Sequence, residues 1–324
     1  MTLIQNLGAK VVADTSAQSV RSSDPAAAVP VPSLEAVAGD HDRNIETRLD
    51  PASKTFWCYV RPKGKPIVSR GVLADVARVQ AWLEASFGTA RIPNDIPFSY
   101  FVFASRTPGV FNLGGDLDHF AECARAGDRA AIRGYAHACV EVLHRNACAF
   151  DLPVVTMALV QGDALGGGFE WALSFDMIVA ERGAKMGLPE ILFNLFPGMG
   201  AYSFLSRRLD PARAKRMIMS GRIYTAEQLH DMGLVDVLAE DGEGQAAVAR
   251  YTAENASRHG AHLAIYRARR RVNPVTLDEL RDVVDIWTDA VLCLTEADLR
   301  KMARLTNMQQ KRLSRTASAS GAAG

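Results

Sequence analysis

The sequence predicts an α/β protein with a largely parallel β-sheet, and two observations lead to this prediction. Short runs of β-branched and aromatic residues, each bounded by turn residues, recur along the chain. Stretches with apolar residues at helical spacing lie between these runs, and an alternation of strands with helices is typical of parallel sheets. The composition agrees, because 48% hydrophobic and 23% charged residues in a chain of 324 are ordinary for a globular protein with a sizeable core.

The individual elements follow in chain order. Strands are predicted at 55–61, 98–105, 154–162 and 177–182, and helices at 74–87, 128–149, 211–220 and 225–233. From about Ala246 onward the strand signals stop, and the chain predicts successive amphipathic helices with a break at Asn273 and Pro274.

These patterns divide the chain into four regions. Residues 15–40 are rich in Ala, Ser, Pro and Val without a helical or strand period, so 1–40 is predicted to be a flexible leader. The α/β core is predicted at 41–245, a helical region at 246–313, and a flexible tail at 314–324.

Charge and cysteine usage exclude several classes of protein. The formal net charge is +1, so no overall field favours nucleic acid or a membrane surface. The five cysteines are odd in number and form no CxxC pair, which argues against a disulfide framework or a zinc site. The N-terminus lacks the apolar run of a secretory signal, and no stretch reaches the ~18 apolar residues of a spanning helix. We therefore expect a cytoplasmic protein that holds no metal ion.

Two glycine-rich junctions each join a predicted strand to a predicted helix. The pair Gly114–Gly115 follows one strand, and the run Gly166–Gly168 follows another. Glycine lets a backbone approach a ligand closely and point N–H groups outward. Two such junctions could form a two-donor oxyanion hole, each donor worth about 3–4 kcal/mol to a reaction. Tight turns without a ligand are the alternative. A dinucleotide site fits less well because the GxGxxG spacing is absent, and no cofactor is expected.

Two glutamates lie among apolar residues. Glu170 stands between two aromatic residues at the start of a predicted helix, and Glu190 lies in the stretch MGLPEILFNLFPG. A carboxylate buried without a partner is unfavourable, so the group either pairs with a base or takes a raised pKa. Raised carboxyl pKa values serve general acid–base catalysis near neutral pH. A structural salt bridge to Arg182 or Lys185 is the alternative.

Four motifs taken together resemble the enoyl-CoA hydratase (crotonase) superfamily. They are FNLGGDL, VQGDALGGGFEWALSFDMIVAERGAKMGLPE, LFPGMGAYSFLSRRL and SGRIYTAEQLHDMGLVDVL, in the family's order within about residues 45–240. The spacing of 20 residues between Glu170 and Glu190 also equals that of the family's two acid–base glutamates. The resemblance implies a spiral of ββα units with a C-terminal helical appendage. It also implies an oxyanion hole formed by the N–H groups of Gly115 and Gly167, and a homotrimer or hexamer.

Departures from the common hydratase pattern, seen in LGGD, MGLPE and PGMGA, resemble one branch of this superfamily. That branch is the diffusible-signal-factor synthases of quorum-sensing Gram-negative bacteria. The resemblance implies dehydration of a medium- or long-chain 3-hydroxyacyl thioester on acyl carrier protein to the cis-2-enoyl form. Hydrolysis of the thioester would then release a cis-2-unsaturated fatty acid signal. An ordinary enoyl-CoA hydratase of fatty-acid oxidation, acting on acyl-CoA, is the alternative.

The implied chemistry gives the two acids different tasks. The thioester carbonyl would bind between the two glycine N–H groups, and charge growing on its oxygen would acidify the C2–H bond. Glu190 would take the C2 proton, while protonated Glu170 would protonate the departing C3 hydroxyl. Hydrolysis would use the same oxyanion hole a second time.

A long acyl chain also needs an apolar pocket. The candidates are Leu165, Trp171, Met199, Trp287 and Leu305, and by position Met199 and Trp287 resemble acyl-pocket residues of the synthases. For each residue alone, ordinary core packing is the alternative.

Basic residues cluster at 206–216 and 266–271. Such clusters are either solvated faces or a docking patch for the acidic acyl carrier protein or for a CoA diphosphate. A regulatory protein that binds a sensor kinase is a further alternative, although both glutamates and both oxyanion glycines argue for an active enzyme.

Overall fold

The computed structural model describes residues 44–307, and every structural statement below concerns this part of the chain. The predicted leader at 1–40 and the predicted tail at 314–324 lie outside these residues. The strands are β1 (Ile45–Asp50), β2 (Thr55–Val60), β3 (Tyr100–Ser105), β4 (Val110–Asn112), β5 (Val155–Val160), β6 (Asp163–Leu165), β7 (Met177–Glu181), β8 (Lys185–Gly187), β9 (Ile223–Thr225) and β10 (Val237–Ala239).

Helices connect and follow the strands. They are α1 (Arg70–Phe87), α2 (Leu117–Ala126), α3 (Arg129–Ala147), α4 (Gly167–Leu173), α5 (Ala201–Ser206), α6 (Pro211–Ser220), α7 (Ala226–Asp231), α8 (Gly244–Glu254), α9 (His259–Val272), α10 (Leu277–Leu292) and α11 (296–307). Short 3₁₀ turns lie at Pro93–Asp95, Ala149–Asp151, Glu190–Phe193 and Ala256–Arg258.

The strands form two sheets. The larger has the order β1-β2-β3-β5-β7-β10 and is parallel except for the β1–β2 pair. The smaller has the order β4-β6-β8-β9 and is parallel except for the β8–β9 pair. The prediction of an α/β protein with a largely parallel sheet is confirmed.

Successive strands in the central part of the chain join the two sheets alternately. In the strand pairs β3–β4, β5–β6 and β7–β8, the first strand joins the larger sheet and the second joins the smaller. A helix or a 3₁₀ turn follows each pair, so the repeat is a ββα unit. This spiral brings the turns after β4, β6 and β8 to the same edge of the smaller sheet.

Burial on both faces explains why the long strands were visible in the sequence. Every residue of β2, β3 and β5 is buried. One face of the larger sheet packs on Ala247, Val248 and Leu263 of the helices α8 and α9, and the other faces the main core. Strands buried on both sides read as continuous apolar runs.

Several elements were missed or displaced. The predicted strands did not include β1, in which four of six residues are polar, or the three-residue strands of the smaller sheet, which are too short to show a period. Helix α1 begins at Arg70 rather than at 74, because the Ser69 side chain caps it by accepting a hydrogen bond from Val72 N (3.2 Å). Helix α3 ends at Ala147, before the predicted end at 149. Ala149, Phe150 and Asp151 all have φ between 50° and 57°, outside the range of a right-handed helix.

The C-terminal part follows the predicted pattern. The last strand ends at Ala239, and the regular elements among the described residues beyond it are helices. The break predicted at Asn273 and Pro274 separates α9 from α10. Helix α10 packs along α3, so the helical region covers one side of the core. The division of the chain at 245 and 246 stays a prediction.

Candidate active site

The smaller sheet places three sequence-predicted residues at one edge. Gly115 follows β4, Gly167 follows β6, and Glu190 follows β8. Because these strands are adjacent and parallel, their carboxyl ends meet, and the residues that follow them lie side by side.

The two glycine junctions are in close backbone contact. Gly114 has φ +95°, and a Cβ on it would lie 2.8 Å from Leu165 O and 3.1 Å from Gly167 N, so only glycine fits. Gly167 is the first residue of α4, where an N–H has no partner inside the helix. Within residues 44–307, neither the Gly115 N–H nor the Gly167 N–H donates to a backbone oxygen. Both donors are therefore available to a ligand.

Tyr135 of α3 holds the first junction in place. Its hydroxyl donates a hydrogen bond to Val68 O, and Val68 N donates to Gly114 O (2.8 Å). The same hydroxyl lies 3.4 Å from Asp116 N. The junction is thus fixed on both sides of Gly115.

Glu170 is buried, with 1% of its surface exposed. Its Oε1 accepts a hydrogen bond from Ala201 N (2.9 Å), the first residue of α5. The N-cap of α5 is Gly200, which has no side chain, so the Glu170 carboxyl group takes the place of a capping side chain. Burial, with the charge of Glu190 as a second cause, raises the pKa of Glu170 well above its ordinary value.

Glu190 opens the 3₁₀ turn after β8. Its Oε2 is buried and has no hydrogen-bond partner among the described residues. A Cβ on Gly166 would overlap its Oε1, so the glycine at 166 makes room for this carboxyl group. Burial raises the pKa of Glu190 from 4.5 to about 7. The predicted alternative of a salt bridge does not apply to Arg182, which pairs with Glu227 and Glu240.

A cavity of about 40 Å³ lies between these groups. It is lined by Gly115, Leu117, Phe120, Tyr135, Ala136, Gly167, Glu170, Glu190, Phe193, Leu195, Gly198, Met199 and Trp287. Both oxyanion candidates and both glutamates therefore face one space. Met199 and Trp287 line it too, and the Met199 Sδ lies 2.6 Å from where a Cβ on Gly167 would be.

Three candidate acyl-pocket residues do not line this cavity. Leu165 packs with Val110 and Leu113 in a separate small cluster. Leu305 of α11 packs against the main core. Trp171 stacks on a core phenylalanine, with ring centroids 5.1 Å apart. For each of them, ordinary packing is what the structure shows.

Sequence reasoning missed the aromatic wall of the cavity. Phe120 and Tyr135 come from α2 and α3, far from the glutamates in the chain, and no local pattern marks them. A local signal existed for Phe193, Leu195 and Gly198, because they lie shortly after Glu190 in the stretch EILFNLFPG.

Several arginines of the two basic clusters form ion pairs or hydrogen bonds within the fold. Arg269 and Arg270 both bind the buried Asp176, at 3.1 and 2.6 Å. In the other cluster Arg207 pairs with Glu279 (2.7 Å), and Arg208 donates to main-chain carbonyl oxygens. These guanidinium groups hold the helical region to the core.

Taken together, the site has two free N–H donors beside two buried acids with raised pKa values. Such donors polarise a carbonyl group, and such acids transfer protons near neutral pH. This geometry fits the class of acid–base enzymes that act on acyl compounds.

Comparison with known proteins agrees with this class. The model of the enoyl-CoA hydratase/isomerase family matches residues 85–275, more than half of the chain. The chain is 35% identical over 147 residues to methylglutaconyl-CoA hydratase of Rattus norvegicus, covering 45% of this chain and 44% of that protein. The chain thus matches about half the length of this curated relative.

Solved structures share the fold. DspI of Pseudomonas aeruginosa aligns with a TM-score of 0.60 and 26% identity, covering 72% of this chain and 84% of DspI. Human mitochondrial delta3-delta2-enoyl-CoA isomerase aligns with a TM-score of 0.67 over 83% of this chain and 99% of that one, at 18% identity.

The chain belongs to the enoyl-CoA hydratase/isomerase family and has the crotonase fold. None of the described helices combines the length and the apolar character needed to cross a membrane.

Proposed function

We propose that this enzyme dehydrates a 3-hydroxyacyl thioester to the 2-enoyl thioester. The observation that carries the proposal is that Glu170 and Glu190 face one cavity with the free N–H groups of Gly115 and Gly167. Removing water across C2–C3 needs one group to accept a proton and one to donate a proton. The cavity offers one acid for each task.

On this proposal Glu190 is the base that takes the C2 proton, and its pKa of about 7 leaves it partly ionised at neutral pH. Glu170, whose pKa burial raises well above its ordinary value, is the acid that gives a proton to the departing C3 hydroxyl, which leaves as water. The two N–H groups stabilise the negative charge that develops on the thioester oxygen. The reverse sequence of the same steps is hydration.

We further propose that the product is the cis-2-enoyl form and that the enzyme then hydrolyses the thioester. Support comes from the variants LGGD, MGLPE and PGMGA, which resemble the diffusible-signal-factor synthases. On this proposal the substrate is a medium- or long-chain acyl group on acyl carrier protein, and the released fatty acid is a quorum-sensing signal. A cytoplasmic trimer or hexamer belongs to the same proposal.

One experiment separates this proposal from an ordinary enoyl-CoA hydratase. Purified enzyme is given matched 3-hydroxyacyl substrates on acyl carrier protein and on CoA, and all products are identified by mass spectrometry and by double-bond geometry. Release of a free cis-2-unsaturated fatty acid, absent with Glu170→Ala and Glu190→Ala, supports the proposal. A trans product retained on CoA instead supports the hydratase of fatty-acid oxidation.

A further inference from the structure

The cavity at the active site is too small for the substrate of the proposed function. Its volume is about 40 Å³. Pockets that hold organic ligands usually measure about 300–1,000 Å³. One wall must therefore move when an acyl chain binds.

The walls differ in how they are held. The glycine junctions and Glu190 follow strands of the smaller sheet, whose ladder hydrogen bonds fix them. Helix α10 belongs to no sheet, and it brings Trp287 into the cavity. The Trp287 ring meets Phe120 edge-on, with centroids 5.0 Å apart, and a Cβ on Gly198 would overlap it. Like Phe120 and Tyr135, Trp287 lies on a helix and can withdraw without breaking a sheet.

Ion pairs on one flank fix α10 against α3. Asp285 receives two hydrogen bonds from Arg133, at 2.7 and 3.0 Å, and its Oδ1 also lies 2.9 Å from His137 Nε2. One turn further along α10, Asp289 pairs with Arg129 at 2.9 Å.

Asp285 is the best shielded carboxylate of this contact. Its side chain is 33% exposed, whereas that of Asp289 is 64% exposed and binds through a single distance. Two-point binding of a guanidinium group fixes geometry as well as distance. Buried side chains of α10 such as Val284 and Val291 also hold the helix to the core. Because Asp285 and Trp287 are two residues apart on one helix, loss of the Asp285 contact would let this part of α10 shift and change how far Trp287 reaches into the cavity.

We propose that Asp285 is a positioning residue that, through Arg133 and His137, holds Trp287 at the depth that limits the length of acyl chain admitted. The proposal rests on the proposed function for its kinetic readout. Asp285 touches no reacting atom. Its removal is expected to change which substrate binds and to leave proton transfer unaffected.

The test compares Asp285→Asn with Asp289→Asn, a matched control on the same helix. The kcat and KM values are measured for 3-hydroxyacyl thioesters of increasing chain length. For Asp285→Asn we expect KM to fall for the longest chains by about two- to fivefold, the effect of losing one partly exposed ion pair. The kcat for the shortest chain should stay as in wild type. Asp289→Asn should keep the wild-type profile, and Asp285→Glu should restore much of it.

Two measurements do not depend on turnover. Backbone hydrogen exchange of α10 should be faster in Asp285→Asn and unchanged in β3 and β5. Unreactive acyl thioether analogues of increasing length should bind with the same shift in preference, measured by calorimetry. If wild type turns over no thioester, the proposed function fails while these two readouts still decide the role of Asp285. A variant with wild-type chain-length preference in analogue binding and wild-type exchange of α10 would overturn this role.

Discussion

The raised pKa of Glu190 predicts how the reaction rate depends on pH. With a pKa of about 7, about half of the Glu190 carboxyl groups are ionised at pH 7 and about 1% at pH 5. If Glu190 is the base, kcat for dehydration should fall about 50-fold between these two pH values. An ordinary glutamate of pKa about 4.3 would lose less than a fifth of its ionised form over the same range. The cause of the difference is burial, since Glu190 Oε2 has no hydrogen-bond partner among residues 44–307.

The assay follows formation of the enoyl thioester by absorbance under saturating substrate, between pH 5 and pH 8. Glu190→Gln should lower kcat by about 10²–10⁴-fold and remove the acid limb of the profile. The exposed Glu240→Gln, whose original side chain is 73% exposed, serves as the control and should keep the wild-type profile. A rate that is flat from pH 8 to pH 5 in wild type would refute the assignment of Glu190 as the base.

Three further predictions concern stability and space. The folded-state pKa of Glu190 exceeds its ordinary 4.5, so ionisation of this group opposes folding as pH rises from about 4.5 to 7. In urea unfolding, Glu190→Gln should raise the free energy of unfolding by up to about 3 kcal/mol at pH 8 and by nothing at pH 4. Equal effects at both pH values would contradict this. Gly166→Ala should abolish turnover, because residue 166 has a φ of +53° and the new Cβ would overlap Glu190 Oε1. The control Gly134→Ala has open space around its Cβ inside α3, so it should keep activity and raise the free energy of unfolding by about 0.5–1 kcal/mol. Burial lowers the pKa of His259, whose ring nitrogens have no hydrogen-bond partner among residues 44–307, so its protonation opposes folding as pH falls below about 6.5. His259→Phe should therefore lose less thermal stability than wild type at pH 5, and an unchanged acid sensitivity would argue against this role.

Sequence patterns were reliable where the chain is buried on both sides or breaks sharply. The four predicted strands correspond to β2, β3, β5 and β7, because full burial makes them continuous apolar runs. The helix predicted at 211–220 begins at Pro211 and ends at Ser220, where Asp210 and Gly221 supply a cap and a stop. The strands of the smaller sheet were invisible, since three residues cannot show a period of two.

The reactive groups of the candidate site could be predicted from the sequence, but most of the residues that line its cavity could not. A carboxylate among apolar residues and a glycine run after a strand are local signals, so Glu170, Glu190 and the two glycine junctions could be named from the chain alone. The resemblance to the superfamily then pointed to Gly115 and Gly167 within the junctions. Of the acyl-pocket candidates, Met199 and Trp287 line the cavity, whereas Leu165 packs elsewhere. The sequence does not separate these cases, because an apolar residue in a cavity wall and one in the core give the same local pattern.

By itself, the sequence determined the α/β class, the resemblance to a family, and the residue types able to move protons and bind an oxyanion. These features depend on local composition and on spacing along the chain. Only the tertiary structure decided which residues share a space. The parallel order β4-β6-β8 brings three distant turns to one edge, and helix α10 closes that edge with Trp287. Burial in that closed space raises the carboxyl pKa values, and burial is a property of the assembled fold rather than of any segment.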